Sequence, residues 1–246
     1  NDASRLLVYT FNRHQDNLSI YSVNPRSTVA TLLISDMANK YVKEEVLEGI
    51  EVGANTILLP SERNGFMNLY LYNMNGKLLR TVGNGTFDIT ANYGYDEATG
   101  DIYYQAAALN AHDRQVFVSH KNGKTTRLTN QEGWNSAIFS ADHKYFVNTW
   151  SDYNTPFVFT VRDAQGKVLS TPEDNAALKQ KVAEYGWTKK EPFSFTTSEG
   201  VKLDGWMVKP ANFDASKKYP VILFQYSGPG SQQVTNSWNR SEEHTS

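Results

Sequence analysis

A chain of 246 residues has room for one or two domains, and its 39% apolar share, 13% of the chain being aromatic, can fill a sizeable core and leans toward β-structure. A formal net charge of -2 excludes the field that would draw nucleic acid or anionic lipid, and no window approaches the ~18 apolar residues of a membrane span. With no cysteine, disulfides, thiolate catalysis and cysteine-ligated metals are excluded as well.

The chain opens on Asn1-Asp2-Ala3-Ser4-Arg5, without a signal-peptide pattern, and runs straight into strand-like segments. Leu6–Tyr9, Leu18–Tyr21 and Val29–Leu33 read as three strands of one unit whose innermost strand is missing, so the chain is expected to begin inside a repeat. From there three features recur in order. A turn leads into a strand at Glu51–Asn55 and Thr56–Leu59, at Asp96–Gly100 and Ile102–Tyr104, and at Ser140–Lys144 and Tyr145–Val147. A polar loop follows at 61–68, 108–115 and 151–156. A strand then enters a tight turn at Asn75-Gly76, Asn122-Gly123 and Gln165-Gly166, and a return strand follows each. Asn-Gly predicts a type I′ turn, which needs positive φ at both central residues.

The turn glycines Gly76, Gly123 and Gly166 lie 47 and 43 residues apart. Four strands per unit at a period of roughly 40–50 residues is the pattern of β-propeller blades, which bury both faces only by stacking on neighbours. A β-sandwich with regular turns is the rival. The spacing predicts four-stranded antiparallel blades over about 45–82, 92–129 and 136–171, with edge blades that expose apolar strands.

After Thr171 the pattern changes. Thr171–Asn175 reads as a helix start with acidic residues in its first turn, and 174–185 as a helix with Ala177, Leu178, Val182 and Tyr185 on one face. Gly186 is the expected stop. Pro192–Thr197 and Val201–Lys209 read as a strand hairpin about Ser198-Glu199-Gly200, and Pro210–Lys218 as a polar connection. Val221–Phe224 is a continuous apolar run, suited to a strand buried on both faces of a parallel sheet. It ends in Tyr226 and a sharp Gly228-Pro229-Gly230 turn, and the carboxyl end of such a strand is where open α/β sheets bind ligands. On the pattern alone Tyr226 is equally a strand-end tyrosine whose hydroxyl is satisfied locally.

Other candidates weigh toward ordinary roles. Glu44-Glu45 reads as a solvated loop. His14, His112, His120, His143 and His244 show no i, i+4 pairing and no carboxylates clustered with them, so no metal is expected. His112-Asp113 reads as solvated loop. Ser227 and Ser231 flank the turn outside any nucleophile motif and are read as turn hydrogen-bonders. Trp134, Trp150, Trp187 and Trp206 are read as core filling, Trp150 being the one placed at a polar loop.

Ser61-Glu62-Arg63-Asn64-Gly65-Phe66-Met67-Asn68-Leu69-Tyr70, Tyr93–Gly100, Glu173–Leu178 and above all Lys217–Gln232 carry a resemblance. The chain is similar to the dipeptidyl peptidase IV group of prolyl oligopeptidase-type serine peptidases over nearly its whole length. The resemblance implies an eight-bladed propeller over an α/β-hydrolase domain, without a cofactor. It implies an activity that releases N-terminal dipeptides, or in a sister group tripeptides, after proline or alanine. A Tyr-Ala/Ser-Gly-Pro segment supplies the oxyanion-hole tyrosine in that group, and Tyr226 is the matching residue. The family's triad follows in the order Ser, Asp, His downstream of that tyrosine, and no G-x-S-x-G occurs here.

The expected fold is therefore mainly β: about four of eight blades over 1–172, then a linker helix and the first hydrolase strands over 173–239. Residues 240–246 depart from the family and resemble a translated sequencing adapter, so the chain is expected to be an internal fragment, inactive alone. The family's paired glutamates that anchor the substrate amino terminus belong to an earlier blade, outside this chain. Partners implied are peptides with N-terminal X-Pro or X-Ala and a second copy of the parent, with no nucleic acid. The implied location is periplasmic or secreted. The alternatives are a tripeptidyl peptidase of the same group and a non-catalytic propeller that serves as a binding scaffold.

Overall fold

The computed structural model describes residues 5–226, 228 and 230–238. Ser227, Pro229, His244 and the 240–246 tail lie outside them. The chain divides into two compact units, Asn1–Ala108 with Val116–Leu128, and Leu109–Gln115 with Thr129–Ser246.

The first unit holds three antiparallel sheets. Strands β1 (Leu6–Phe11), β2 (Asn17–Val23) and β3 (Ala30–Met37) form one; β4 (Glu51–Val52), β5 (Thr56–Ser61), β6 (Asn68–Asn73) and β7 (Leu78–Val82) the second. The third contains β8 (Ile89–Asp96), β9 (Asp101–Ala106), β10 (Gln115–Ser119) and β11 (Thr125–Arg127). The second sheet shows why its strands are apolar without alternation. Strand side chains point to opposite faces in turn. Ile57, Leu59, Tyr70 and Tyr72 pack with Leu18, Ile20 and Ile34 of the first sheet. Their neighbours Leu58, Leu69 and Leu71 pack with Ile102, Tyr104 and Phe117 of the third. Fully burying one such leucine contributes about 1.5–3 kcal/mol. A polar tie joins the first two sheets: Arg63 Nε sits 2.9 Å from Asp36 Oδ1, which also accepts the Ser61 hydroxyl at 2.8 Å. The Arg63 guanidinium lies 4.0 Å from the Tyr70 ring centroid and donates to the Tyr72 hydroxyl at 2.7 Å.

The second unit contains a fourth sheet, β12 (Trp134–Phe139), β13 (Tyr145–Ser151), β14 (Val158–Asp163) and β15 (Val168–Glu173), all antiparallel. Helix α1 (Ala176–Glu184) follows, then the hairpin β16 (Lys190–Thr196) and β17 (Lys202–Val208). All five tryptophans, Trp134, Trp150, Trp187, Trp206 and Trp238, belong to this unit.

The repeat expected from turn spacing is present as sheets, but the turns differ in kind. At 73–77, 120–124 and 163–167 the amide of the glycine donates to the carbonyl three residues before it. Positive φ falls on Gly76, Gly123 and Gly166 alone (77°, 84° and 85°), not on the preceding Asn or Gln. These are three-residue loops, a type I turn closed by a left-handed glycine, in place of the two-residue I′ turn. Asn73 and Asp163 secure their turns by accepting the amides of residues two and four positions on.

Three further expectations are corrected. The acidic residues precede α1, Glu173 ending β15 and Asp174 accepting the Ala176 amide, so none lies in its first turn. The helix buries no residue, and Tyr185, its C-cap, is exposed. Its end is as expected: Gly186 at φ 65° donates to Ala183 O, and the Trp187 amide to Val182 O, a Schellman closure. The largest correction is Val221–Phe224, which is not in a strand. Val221, Ile222 and Leu223 are 85%, 97% and 87% exposed. A strand buried on two faces needs hydrogen-bonded neighbours on both sides, and β16 and β17 pair only with each other among the described strands.

Candidate functional site

Tyr226 ends the exposed run and is itself 62% exposed. The chain turns immediately after it: Ser231 N donates to Gly228 O at 3.0 Å, and Gly230 takes φ 74°. Gly228 is needed for a close approach, because a Cβ there would lie 2.9 Å from the Tyr226 hydroxyl oxygen and 3.0 Å from its ring. Ser231 acts in the turn as expected, its hydroxyl accepting from Gln233 at 3.1 Å.

Beyond the turn the chain is held. Gln232 Oε1 accepts from Arg114 Nη2 at 2.5 Å, and its Nε2 donates to Ala111 O at 2.6 Å. Asn236 donates through Nδ2 to Asp113 Oδ1 at 2.8 Å and through its amide to His112 O at 3.0 Å. Its Oδ1 accepts the Tyr153 amide at 2.9 Å, and the Trp238 amide donates to Ser151 Oγ at 3.0 Å.

The receiving loop is shaped by its own sequence. Asn110 Oδ1 accepts the amides of His112 and Asp113, both at 2.8 Å, an Asx turn that folds the loop. Arg114 is nearly buried, with its guanidinium carbon 4.5 Å from the Trp134 ring centroid. It donates through Nη1 to Ala111 O and Asp113 O at 3.0 and 2.8 Å.

His112, expected in solvent, is drawn into the same cluster. Its Nε2 lies 2.8 Å from Asp204 Oδ2, and its Nδ1 3.3 Å from the Tyr153 hydroxyl. The Ser194 hydroxyl, at 2.5 Å, and then His112 hold the Asp204 carboxyl below its ordinary value, while burial pushes the Tyr153 phenol up. Ser194, Asp204 and His112 are the residue types of a catalytic triad in the wrong order. The hydroxyl donates to the carboxylate, so no base stands against it to make it a nucleophile. In the first unit His120 Nδ1 bonds Asp101 at 3.0 Å and Nε2 meets Thr126 Oγ1 at 3.2 Å. There the Arg80 guanidinium grips His120 O and Gly100 O, so the histidine serves to fasten two turns.

Among the described residues, His112 and His120 therefore do each meet a carboxylate, from partners 92 and 19 residues away. Among the described residues no group of three or more such side chains is placed to hold a metal, and no helix is long and apolar enough to cross a membrane. Glu44 and Glu45 open a short 3-10 helix and are exposed. None of the four tryptophans read as core is buried; Trp187 is exposed, and Trp150 bonds Glu132 O at 2.7 Å through its indole.

A family model described as the dipeptidyl peptidase IV N-terminal region matches residues 1–157, well over half of the chain. The chain belongs to the dipeptidyl peptidase IV family. Among curated relatives, dipeptidyl peptidase 4 of Arthroderma otae is 31% identical over 183 residues, 72% of this chain and 24% of that protein. Dipeptidyl peptidase 4 of Trichophyton equinum is 28% identical over 238 residues, 93% of this chain and 31% of that protein. The crystal structure of Porphyromonas gingivalis dipeptidyl peptidase 4 matches with a TM-score of 0.92 and 37% identity, covering 98% of this chain and 34% of that one. A putative dipeptidyl aminopeptidase IV from Bacteroides ovatus shares the fold at a TM-score of 0.78 and 22% identity, over 96% of this chain and 36% of that one. The chain thus spans between a quarter and about a third of the length of these relatives.

Proposed function

We propose that this chain is part of a serine exopeptidase that releases N-terminal dipeptides with proline or alanine in the penultimate position. Tyr226 is read as the oxyanion-hole donor, and the nucleophile, base and orienting acid as residues outside this chain. The four sheets are read as propeller blades over residues 1–172, and the segment 173–239 as the linker helix and opening of the peptidase domain. A periplasmic or secreted location accompanies this reading. The observation that carries it is the Tyr226-Ser-Gly-Pro-Gly segment at the end of an apolar run, within a chain of this family.

In acyl transfer the serine oxygen adds to the substrate carbonyl, its proton passes to histidine, and the carbonyl oxygen becomes an oxyanion. A phenol held beside that oxygen donates one hydrogen bond where negative charge develops, and so acts on the transition state more than on the bound substrate. Tyr226 is 62% exposed as a residue, and water excluded by a bound substrate would strengthen such a bond.

The test is Tyr226→Phe in the full-length protein, assayed with a glycyl-prolyl chromogenic substrate. The expected result is a fall in kcat of roughly 10²–10³ with KM changed only a few-fold. A variant that keeps its kcat and loses only thermal stability would make Tyr226 a structural residue.

A further inference from the structure

We propose that His112, Asp204 and Tyr153 form a proton-operated clasp, which holds the β16–β17 hairpin to the Leu109–Gln115 loop more tightly when the imidazole is charged. The clasp is independent of the role read for Tyr226.

Each member is placed by a contact of its own. Ser194 and Asp204 face one another across the hairpin, and the Ser194 hydroxyl donates to Asp204 Oδ1 at 2.5 Å, which presents Oδ2 to the imidazole. His112 Nε2 lies 2.8 Å from that second oxygen, and Nδ1 lies 3.3 Å from the Tyr153 hydroxyl. Asn236 holds the histidine and the tyrosine together. Its amide donates to His112 O at 3.0 Å, and its Oδ1 accepts the Tyr153 amide at 2.9 Å. Asn110 Oδ1 accepts the His112 amide at 2.8 Å. A carboxylate, an imidazole and a phenol thus share one chain of hydrogen bonds, all within the second unit.

The ring makes that chain responsive to protons. An ionised Asp204 only accepts, so the nitrogen facing it carries hydrogen, and Nδ1 of the neutral ring then accepts from the Tyr153 hydroxyl. A proton taken from solvent at Nδ1 makes both nitrogens donors. The Tyr153 hydroxyl then changes from donor to acceptor, which a phenol does without moving its oxygen. Burial, and after it the Asp113 and Asp204 charges, push the Tyr153 phenol up, so it keeps the hydrogen that both arrangements need. The bond to Asp204 gains the attraction of a second charge. The Ser194 hydroxyl, and then His112, hold the Asp204 carboxyl below its ordinary 3.8, so it stays ionised across pH 5–8, where histidines change charge. The added attraction is present while the ring is charged and is lost as pH rises. The other charges around the ring are Lys202 on β17, which also acts on Asp204, and Asp113 and Arg114 on the histidine's own loop. Asp113 is engaged by Asn110 and Asn236, and Arg114 by loop carbonyls and Gln232.

The test uses the 246-residue chain. Hydrogen exchange of peptides covering 109–115 and 190–208 is measured at pH 8 and at pH 5.5, on either side of the ordinary histidine range, and corrected for intrinsic rates. With the two side chains 24% and 28% exposed, protection is expected to be roughly fivefold greater at the lower pH. His112→Gln keeps a donor toward Asp204 but cannot gain a proton, and Asp204→Asn keeps the shape of the acceptor without its charge. Each is expected to reduce the pH response to less than about twofold, while peptides around the His120–Asp101 pair respond as in the parent chain. Equal protection at the two pH values in the parent chain, or a response that survives in either variant, would overturn the clasp. Imidazole nitrogen NMR gives a readout that a folding defect does not imitate. The neutral ring of His112 is expected to carry its hydrogen on Nε2, and hydrogen on Nδ1 would overturn the arrangement with Asp204.

Discussion

The Asp36–Arg63 tie makes a prediction whose size and pH dependence both come from its surroundings. The Asp36 side chain is 2% exposed and that of Arg63 25%. Burial pushes the Asp36 carboxyl up from its ordinary 3.8, against the pull of the Arg63 guanidinium and the bond from Ser61. Arg63→Met keeps a chain of similar length but removes the cation. Stripping one partner from a buried pair costs about 3–5 kcal/mol, and the quarter-exposed guanidinium places this pair at the lower end, about 3 kcal/mol at pH 7. A raised carboxylate favours folding at low pH, and that contribution is lost as pH rises through the folded value. Removing Arg63 takes away a lowering influence, so the folded value climbs further and the loss on going from acid to neutral pH becomes larger. Near pH 3 Asp36 is protonated in both proteins, and only the packing on Tyr70 and the bond to Tyr72 are missed, about 1 kcal/mol. The assay is hydrogen exchange of peptides covering 56–73, with 145–163 in the other unit as internal control. Protection should fall by about a hundredfold or more at pH 7 and about fivefold near pH 3, after correction for intrinsic rates. A loss below fivefold at neutral pH, or one independent of pH, would refute the buried-pair account.

Two other predictions concern turns. Gly76 and Gly123 occupy equivalent turns, but a Cβ on Gly76 would sit 2.0 Å from Leu33 O, whereas one on Gly123 meets nothing within 4 Å. Gly123→Ala should therefore cost only the left-handed penalty, about 1–2 kcal/mol, and Gly76→Ala at least about 3 kcal/mol, read from denaturant midpoints. Asp142 is held down to about 2 by bonds from the Ser140 hydroxyl and from the Lys144 side chain and amide. A depressed carboxylate stabilises above its unfolded value and stops doing so as pH falls through the folded one, so its contribution should fade between about 3.8 and about 2. Carboxyl NMR titration should place its midpoint near 2, and Ser140→Ala should move it upward.

What was legible in the sequence was whatever local pattern controls. The strands around Ile57–Leu59 and Leu69–Tyr72 announce themselves because unbroken apolar runs at this period have to be covered on both sides, and they are. The turns were found but mistyped: Asn-Gly marks a reversal, while the length of the loop depends on where strand pairing resumes, at Asn73 and Lys77. Val221–Phe224 shows the opposite limit. Its composition suits a buried strand, but composition cannot supply the neighbours to pair with. The site beyond Tyr226 was hidden for a further reason. Arg114 and Gln232, or His112 and Asp204, are 118 and 92 residues apart, and each alone looks like an ordinary polar loop residue. Only the fold reveals that they meet.

The distribution of indole rings has a practical reach. Because every tryptophan lies in the second unit, light absorbed at the red edge of the aromatic band excites that unit alone, and the first contributes only tyrosine. Trp134 under the Arg114 guanidinium, Trp187 beside Trp238 and Trp150 bonded to Glu132 O sit in different polarities, so loosening any of them shifts the emission in its own way. The chain thus carries its own optical label, and the melting of one half can be followed in the presence of the other without a dye.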